Sequence, residues 1–414
     1  MTSVFLKTDL LKRNKNFRRL YLAQMISYLG SMMTYMAVPY QIYELTKSSF
    51  WVGILGTMQL LPLLIFGLIG GVYADRFERK KILITAEIYL AIAALGLFIN
   101  AYSNSPNVAL LFFLSITMSA VNGFHRPAME AMTQQIVSRD DMLQVGTLNS
   151  FKFGFCAIAG PALSGLLIAI YGVKISYIID FLTFLISIFL LKQVVTPKHI
   201  ISEKIASTTA SIKDGFKYAM SRSELVGTYV VDILAMIFAM PMALYPAMAA
   251  TWGGASAAGW LYSAIPAGSL FISIFSGWTH SITRKGKAVI LSATVWGFAI
   301  IALAFADNLY LAFACLFAAG VADMTSGIFR GAIWNETIPQ DRRGRLASIE
   351  MLSYMSGPML GNARAGFVAT QTSNFISILS GGIICVIACV ACVWILPKFW
   401  SYTKTKGQGN LNVI

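Results

Sequence analysis

Charged side chains stand inside long apolar runs of this sequence, among them Arg126, Lys152, Arg330 and Arg364, with the carboxylates of Asp232, Asp323 and Glu350. A charge at membrane depth costs about 2.5–3.5 kcal/mol on insertion scales, so such a residue faces a water-filled cavity or a partner. Arginine offers a planar fork of donors that matches a carboxylate or phosphate. The four cations therefore suggest capture of an anion. A partly desolvated carboxylate can exchange protons near neutral pH, which is the chemistry expected of Asp323 and Asp232. Plainer readings stand beside these. Arg126 can pair with Glu130 one turn on, and Asp323 can pair with Arg330 or Lys152. Asp180 reads as a structural hydrogen-bonding group. The histidines, His125, His199 and His280, are scattered. Cys389 and Cys392 form a C-x-x-C in mid-helix with no histidine near, so packing outweighs redox or metal chemistry. No catalytic residue, metal site or cofactor is expected.

The elements that carry these residues are apolar runs separated by short polar breaks. The chain has 414 residues, 57% hydrophobic and 12% charged, about half the charged fraction of a soluble domain. Twelve runs are long enough to span a bilayer: 17–43, 51–74, 82–102, 108–134, 143–171, 175–195, 225–251, 257–278, 288–306, 309–335, 346–370 and 375–397. The fold class is an all-α membrane protein. With the N-terminus in the cytoplasm, 26 of the 32 lysines and arginines fall in inside segments. The outside loops hold Lys47 and Lys174 only, so both termini are expected to be cytoplasmic. The net charge of +14 thus reflects helix ends at a membrane, and no nucleic-acid partner is expected.

The longest polar stretch, 196–224, divides the chain into an N-terminal six-helix half, 1–195, and a C-terminal half, 225–400, followed by a cytoplasmic tail, 401–414. Within the linker, Ser211–Ser221 can form an amphipathic helix on the inner surface. The halves repeat. Gly71 and Gly277, Arg126 and Arg330, and Pro161 and Pro358 are separated by 206, 204 and 197 residues. Same-sense halves of six helices make a parallel repeat about the membrane normal. Arg126 and Arg330 are then expected to be equivalent and to form a two-arginine clamp.

The most specific motif lies between the second and third runs: Gly70, Gly71, Asp75, Arg76, Arg79, Lys80 and Lys81. Glycine lets two helices approach closely, Asp75 can cap a helix or pair with an arginine, and the basic cluster holds the loop at the cytoplasmic face. The motif resembles the signature loop of the major facilitator superfamily. The copy around Gly277, Arg284, Lys285 and Lys287 keeps the glycine and basic end, with Ser281 in the aspartate's place. Gly160 and Pro161 resemble the proline–glycine motif of superfamily exporters.

Phe17-Arg18, the run Val38–Ile42, Trp51–Gly53, Leu244–Ala247 and Trp260–Pro266 look like the siderophore exporters of the superfamily. That resemblance implies a proton-coupled secondary transporter in a bacterial inner membrane, moving a siderophore or similar anionic metabolite from cytoplasm to periplasm by alternating access. It also implies a cavity lined by runs 1, 4, 7 and 10, with Gly71, Asp75, Arg76, Arg79, Glu130, Gly160 and Pro161 forming a conformational gate. The expected partners are a small anionic substrate, protons and the lipid bilayer, with a monomeric chain. The intramembrane charges exceed those expected of such an exporter and leave the substrate open. A drug or macrolide efflux pump is the alternative, and a transport-inactive receptor a more distant one. No nucleotide-binding loop occurs, so ATP does not drive the chain directly.

Overall fold

The computed structural model describes residues 8–196, 208–339 and 343–403. Part of the linker (197–207) and of the tail (404–414) lies outside the described residues, as does the side chain of Asp75.

The helices are α1 (Asp9–Arg13), α2 (Lys15–Thr46), α3 (Ser49–Arg76), α4 (Arg79–Tyr102), α5 (Val108–Ile136), α6 (Met142–Tyr171), α7 (Lys174–Lys192) and α8 (Thr208–Ser221). They continue with α9 (Ser223–Ala239), α10 (Tyr245–Trp252), α11 (Gly254–Ile274), α12 (Lys285–Ala304), α13 (Leu309–Thr337), α14 (Arg343–Gln371), α15 (Asn374–Ile395) and α16 (Pro397–Trp400). Among the described residues, ten helical spans are long and apolar enough to cross a membrane. Two further long helices, α2 with 32 residues and α14 with 29, are less apolar. Together they account for the twelve expected spans, with α9 and α10 sharing one. The large apolar side chains left exposed, among them Leu61, Ile92, Ile99 and Trp394, suit a lipid surround. Helices satisfy their own backbone groups, so the surrounding hydrocarbon leaves none unpaired.

The chain forms two compact units. Unit 1 is Met1–Lys204 with Met242–Pro266, and unit 2 is Ile205–Pro241 with Ala267–Ile414. The seventh apolar run is the one that divides. Helix α9 stops at Ala239 because Pro241 has no N–H to continue the ladder and holds Met240 extended. A 3-10 turn at Met242–Leu244 follows, and Pro246 near the start of α10 suits a new helix. Gly253 and Gly254, both with positive φ, turn the chain from α10 into α11.

In unit 1, α2 packs on α6 and α7, α4 on α5 and α7, and α3 on α5. In unit 2, α9 packs on α14 and α15, and α12 on α13 and α15. Four pairings recur: α2 with α6 and α7, and α4 with α5 and α7, correspond to α9 with α14 and α15, and α12 with α13 and α15. The helix ends at the basic cluster are closed by lysine and arginine. Lys80 donates to the carbonyls of Lys192 and Val194, and Arg19 to Gln193 O, at the C-terminal end of α7. Free carbonyls at a helix C-terminus attract cations.

Candidate functional site

In unit 2 the guanidinium of Arg330 on α13 is buried, with its side chain 9% exposed, and pairs with Asp232 of α9. A second carboxylate, Asp323, lies 3.7 Å from Nη2. It stands seven residues earlier on the same helix, two turns away, so it can face the same side. The Nε of Arg330 is buried and has no hydrogen-bond partner. Beside this group lies a cavity of about 10 Å³, room for one water. It is lined by Asp232, Asp323, Ser326 and Trp296, among others. The indole N–H of Trp296 is also buried without a partner. The expected pair of Asp323 with Arg330 is therefore present but secondary. The principal partner is Asp232, which the spacing on one helix could not reveal.

Arg364 on α14 has a different use. Its Nη1 donates to Phe238 O at 3.0 Å and Ser377 O at 2.9 Å, and Nη2 donates to Ser380 Oγ at 2.8 Å. Phe238 is in the last turn of α9, where the break at Pro241 leaves carbonyls without amide donors. Arg364 thus joins α9, α14 and α15 through donors that were open at the sequence level.

In unit 1, Arg126 on α5 is more than half exposed, and its Nε is 3.4 Å from Glu130 Oε1, one turn on. Helices α5 and α13 both have 29 residues and an asparagine N-cap, Asn107 and Asn308. Counted from those caps, Arg126 is the nineteenth residue of its helix and Arg330 the twenty-second. The two arginines are therefore about one turn out of register, where the offset of 204 had made them equivalent. Lys152 on α6 is 3% exposed. Its Nζ lies 4.6 Å from the Phe153 ring centre and 5.9 Å from that of Tyr21, and no carboxylate among the described residues is within ion-pair distance.

The expected gate residues also lie in unit 1. Helix α3 continues past Gly71 to Arg76, so no loop starts at Gly71, and a Cβ there would meet nothing within 4 Å. The close approach is made by the neighbouring Gly70, whose Cβ would lie 2.8 Å from Phe124 Cα on α5, and by Gly123 in return, 2.6 Å from Gly67 N. Arg76 is exposed. Arg79 donates to Ala131 O of α5. Gly160 lets α6 meet α2 at Met32, and Pro161 O faces Gly259 of α11.

The sequence profile of a family described as transmembrane secretion effector matches residues 11–406. The chain belongs to this family. Its fold is that of the major facilitator superfamily, and it is a multi-pass membrane transporter, not an enzyme. It is 27% identical to the enterobactin exporter EntS of Shigella flexneri over 98% of each chain. It is 26% identical to EntS of Escherichia coli O1:K1 over 98% of each chain, and of Salmonella typhi over 97% of each. Among solved structures, the peptide transporter POT in complex with sulfate superposes with a TM-score of 0.74 at 12% identity, covering 94% of this chain and 96% of the other. A POT family transporter in complex with 5-aminolevulinic acid gives 0.68 at 10% identity, covering 92% and 96%.

One polar cluster of this transporter was not among the expected site residues. Glu87 on α4 is fully buried in unit 1. Its Oε1 accepts from Gln24 Nε2 and Ser27 Oγ of α2, both at 3.3 Å, and lies 3.2 Å from His125 Nε2 of α5. Its Oε2 has no partner. The signal was available, since Glu87 is the only acid in the run 82–102. A second buried carboxylate, Asp180 of α7, accepts from Thr34 Oγ1 at 2.6 Å.

Proposed function

We propose that this transporter exports a siderophore or a similar anionic polar metabolite from cytoplasm to periplasm across a bacterial inner membrane, with protons as the coupling ion. The siderophore reading is supported by the enterobactin exporters that match almost the whole chain. The observation that carries the anion reading is Arg330. It is a buried guanidinium whose charge is balanced by carboxylates rather than by fixed backbone contacts, and whose Nε is unused. Asp232 and Asp323 grip Arg330 when ionised and loosen when protonated. Proton occupancy and the availability of the guanidinium are therefore linked at one place. Lys152, over the rings of Phe153 and Tyr21, and Arg364 add positive charge within their own units. A field of that sign inside low-dielectric walls favours anions.

The two six-helix halves, 1–195 and 225–400, move against each other to expose the substrate site to each face in turn. The loop after α3 belongs to the cytoplasmic gate, and both termini are cytoplasmic, as the lysine and arginine bias directs. The chain works as a monomer.

The test is siderophore release under iron limitation by a strain lacking the chain, complemented with wild type or with Arg330→Gln at matched protein level. Release restored by wild type but not by the variant supports the reading. Equal release with and without the chain, together with binding of cationic dyes and not organic anions by the purified protein, replaces it with drug efflux.

A further inference from the structure

The polar layer around Glu87 is sealed on both sides by apolar packing. On one side lie Leu20, Leu83, Ala128 and Leu191, and on the other Leu90, Ala91 and Phe184. Helices α4 and α5, which contribute to both apolar layers, supply Glu87 and His125 between them, and α2, which contributes Leu20 to the first, supplies Gln24 and Ser27. A lone acid in such a layer needs a reason beyond packing. Among the described residues no lysine or arginine is within ion-pair distance of Glu87, and its only ion-pair partner is His125, whose side chain is 14% exposed.

The hydrogen-bond geometry makes two incompatible demands on one atom. Nε2 of His125 lies 3.2 Å from Glu87 Oε1 and 3.4 Å from Gln24 Nε2. An ionised carboxylate only accepts, so it needs a proton on Nε2. An amide nitrogen only donates, so it needs Nε2 bare. The contact of the same amide nitrogen with Glu87 Oε1 fixes its orientation, because the amide oxygen there would oppose the carboxylate. Nε2 can satisfy one neighbour at a time. With the proton on the imidazole, His125 donates to Glu87. With the proton on the carboxyl, the imidazole accepts from Gln24. In the first state the imidazole is neutral and the pair carries one negative charge. In the second the carboxyl has taken up one proton, the imidazole keeps its own on Nδ1 and the pair is neutral, so proton occupancy sets which neighbour Nε2 serves.

We propose that Glu87 and His125 form a proton-binding site inside unit 1, separate from Asp232 and Asp323, whose occupancy is read by Gln24 and Ser27 of α2. The other charged groups near it are accounted for. Arg126, next to His125, reaches Glu130. Tyr28, next to Ser27, packs edge-on to Phe153. From α7 the titratable group in electrostatic reach is Asp180. Ser187 of α7 is fully buried with an unpartnered hydroxyl. The partly exposed edge of His125 is the way in for the proton, and Glu87 Oε2 is the buried end. A proton that moves the imidazole between Glu87 and Gln24 changes which helix α2 is tied to, α4 or α5.

This site rests on the proton-coupled reading for its use, not for its existence. Its test therefore needs neither substrate nor gradient. The full chain is placed in vesicles of phosphatidylethanolamine and phosphatidylglycerol, and infrared difference spectra are taken between mildly acidic and mildly alkaline pH. The expected result is a carboxyl C=O band that changes with pH and shifts in D2O. It is lost in Glu87→Gln, displaced in His125→Gln and kept in Asp323→Asn. A folded Glu87→Gln with the wild-type spectrum overturns the proposal, and so does loss of the band in Asp323→Asn. If Glu87→Gln does not fold, His125→Gln decides: a displaced band supports the site, and an unmoved one refutes it. A chain that exports nothing can still pass this test, so the two readings fail separately.

Discussion

Two helices of equal length, α5 in unit 1 and α13 in unit 2, carry arginines that have met opposite fates. Arg126 is exposed and takes the nearest acid on its own helix, Glu130. Arg330 is buried and takes an acid from another helix, Asp232. The residue one turn beyond Arg330 is Trp334, which donates to Thr228 Oγ1 and offers no charge. The register differs as well: three residues along a helix amount to about 4.5 Å and leave a side chain about 60° from its starting direction, so the two arginines stand at different heights on their helices. The repeat preserved the helix frame, down to the asparagine caps, while the charges were redistributed within it. Unit 2 holds an arginine between two carboxylates, whereas unit 1 holds a carboxylate beside a histidine.

The largest expected effect follows from burial. Asp232→Asn leaves the buried Arg330 without its main counter-charge and should cost about 3–5 kcal/mol, read as a lowered unfolding temperature of the purified protein. Replacing both, Asp232→Leu with Arg330→Met, should recover most of that stability while abolishing transport. A single variant as stable as wild type would mean that the pair is not desolvated.

A smaller effect separates the two glycines at the end of α3. Gly70→Ala drives a methyl into the α5 backbone and should cost about 1–3 kcal/mol. Gly71→Ala points into open space and should be neutral, or stabilising by up to about 1 kcal/mol through helix propensity. Thermal unfolding of the two variants side by side checks this, and equal losses would contradict the placement of α3 on α5.

The smallest effect belongs to Arg126. Its pair with Glu130 is exposed and local, so Arg126→Gln should change stability by less than about 0.5 kcal/mol. If that variant unfolds as readily as Asp232→Asn, the contrast between the two arginines is wrong.

The sequence made the twelve spans legible because lipid imposes long apolar runs, and it made the signature loop legible because its glycines, acid and bases lie within twelve residues. Pairings within a helix were also readable: Arg126 with Glu130 and Asp323 with Arg330 follow from spacing alone. What could not be read were pairings across helices. Asp232 reaches Arg330 only through the packing of α9 and α13, and Arg364 finds its carbonyls only because α9 breaks at Pro241. The choice between Gly70 and Gly71 depends on which face of α3 meets α5. Glu87 was visible as a lone acid, yet its partners come from α2 and α5, far apart in the chain.

On the proposed function, Arg330 is the cation that meets an anionic substrate, and its carboxylates link it to protons. The direct measurement is siderophore transport by the purified chain in vesicles with an imposed pH difference, comparing wild type, Arg330→Lys and Arg330→Gln. Lysine keeps the charge but loses the planar fork. The expected result is transport that depends on the pH difference in wild type, is weakened in the lysine variant and is absent in the glutamine variant. A folded, inserted Arg330→Gln that transports the siderophore at the wild-type rate would contradict it and leave Arg330 a structural ion-pair residue.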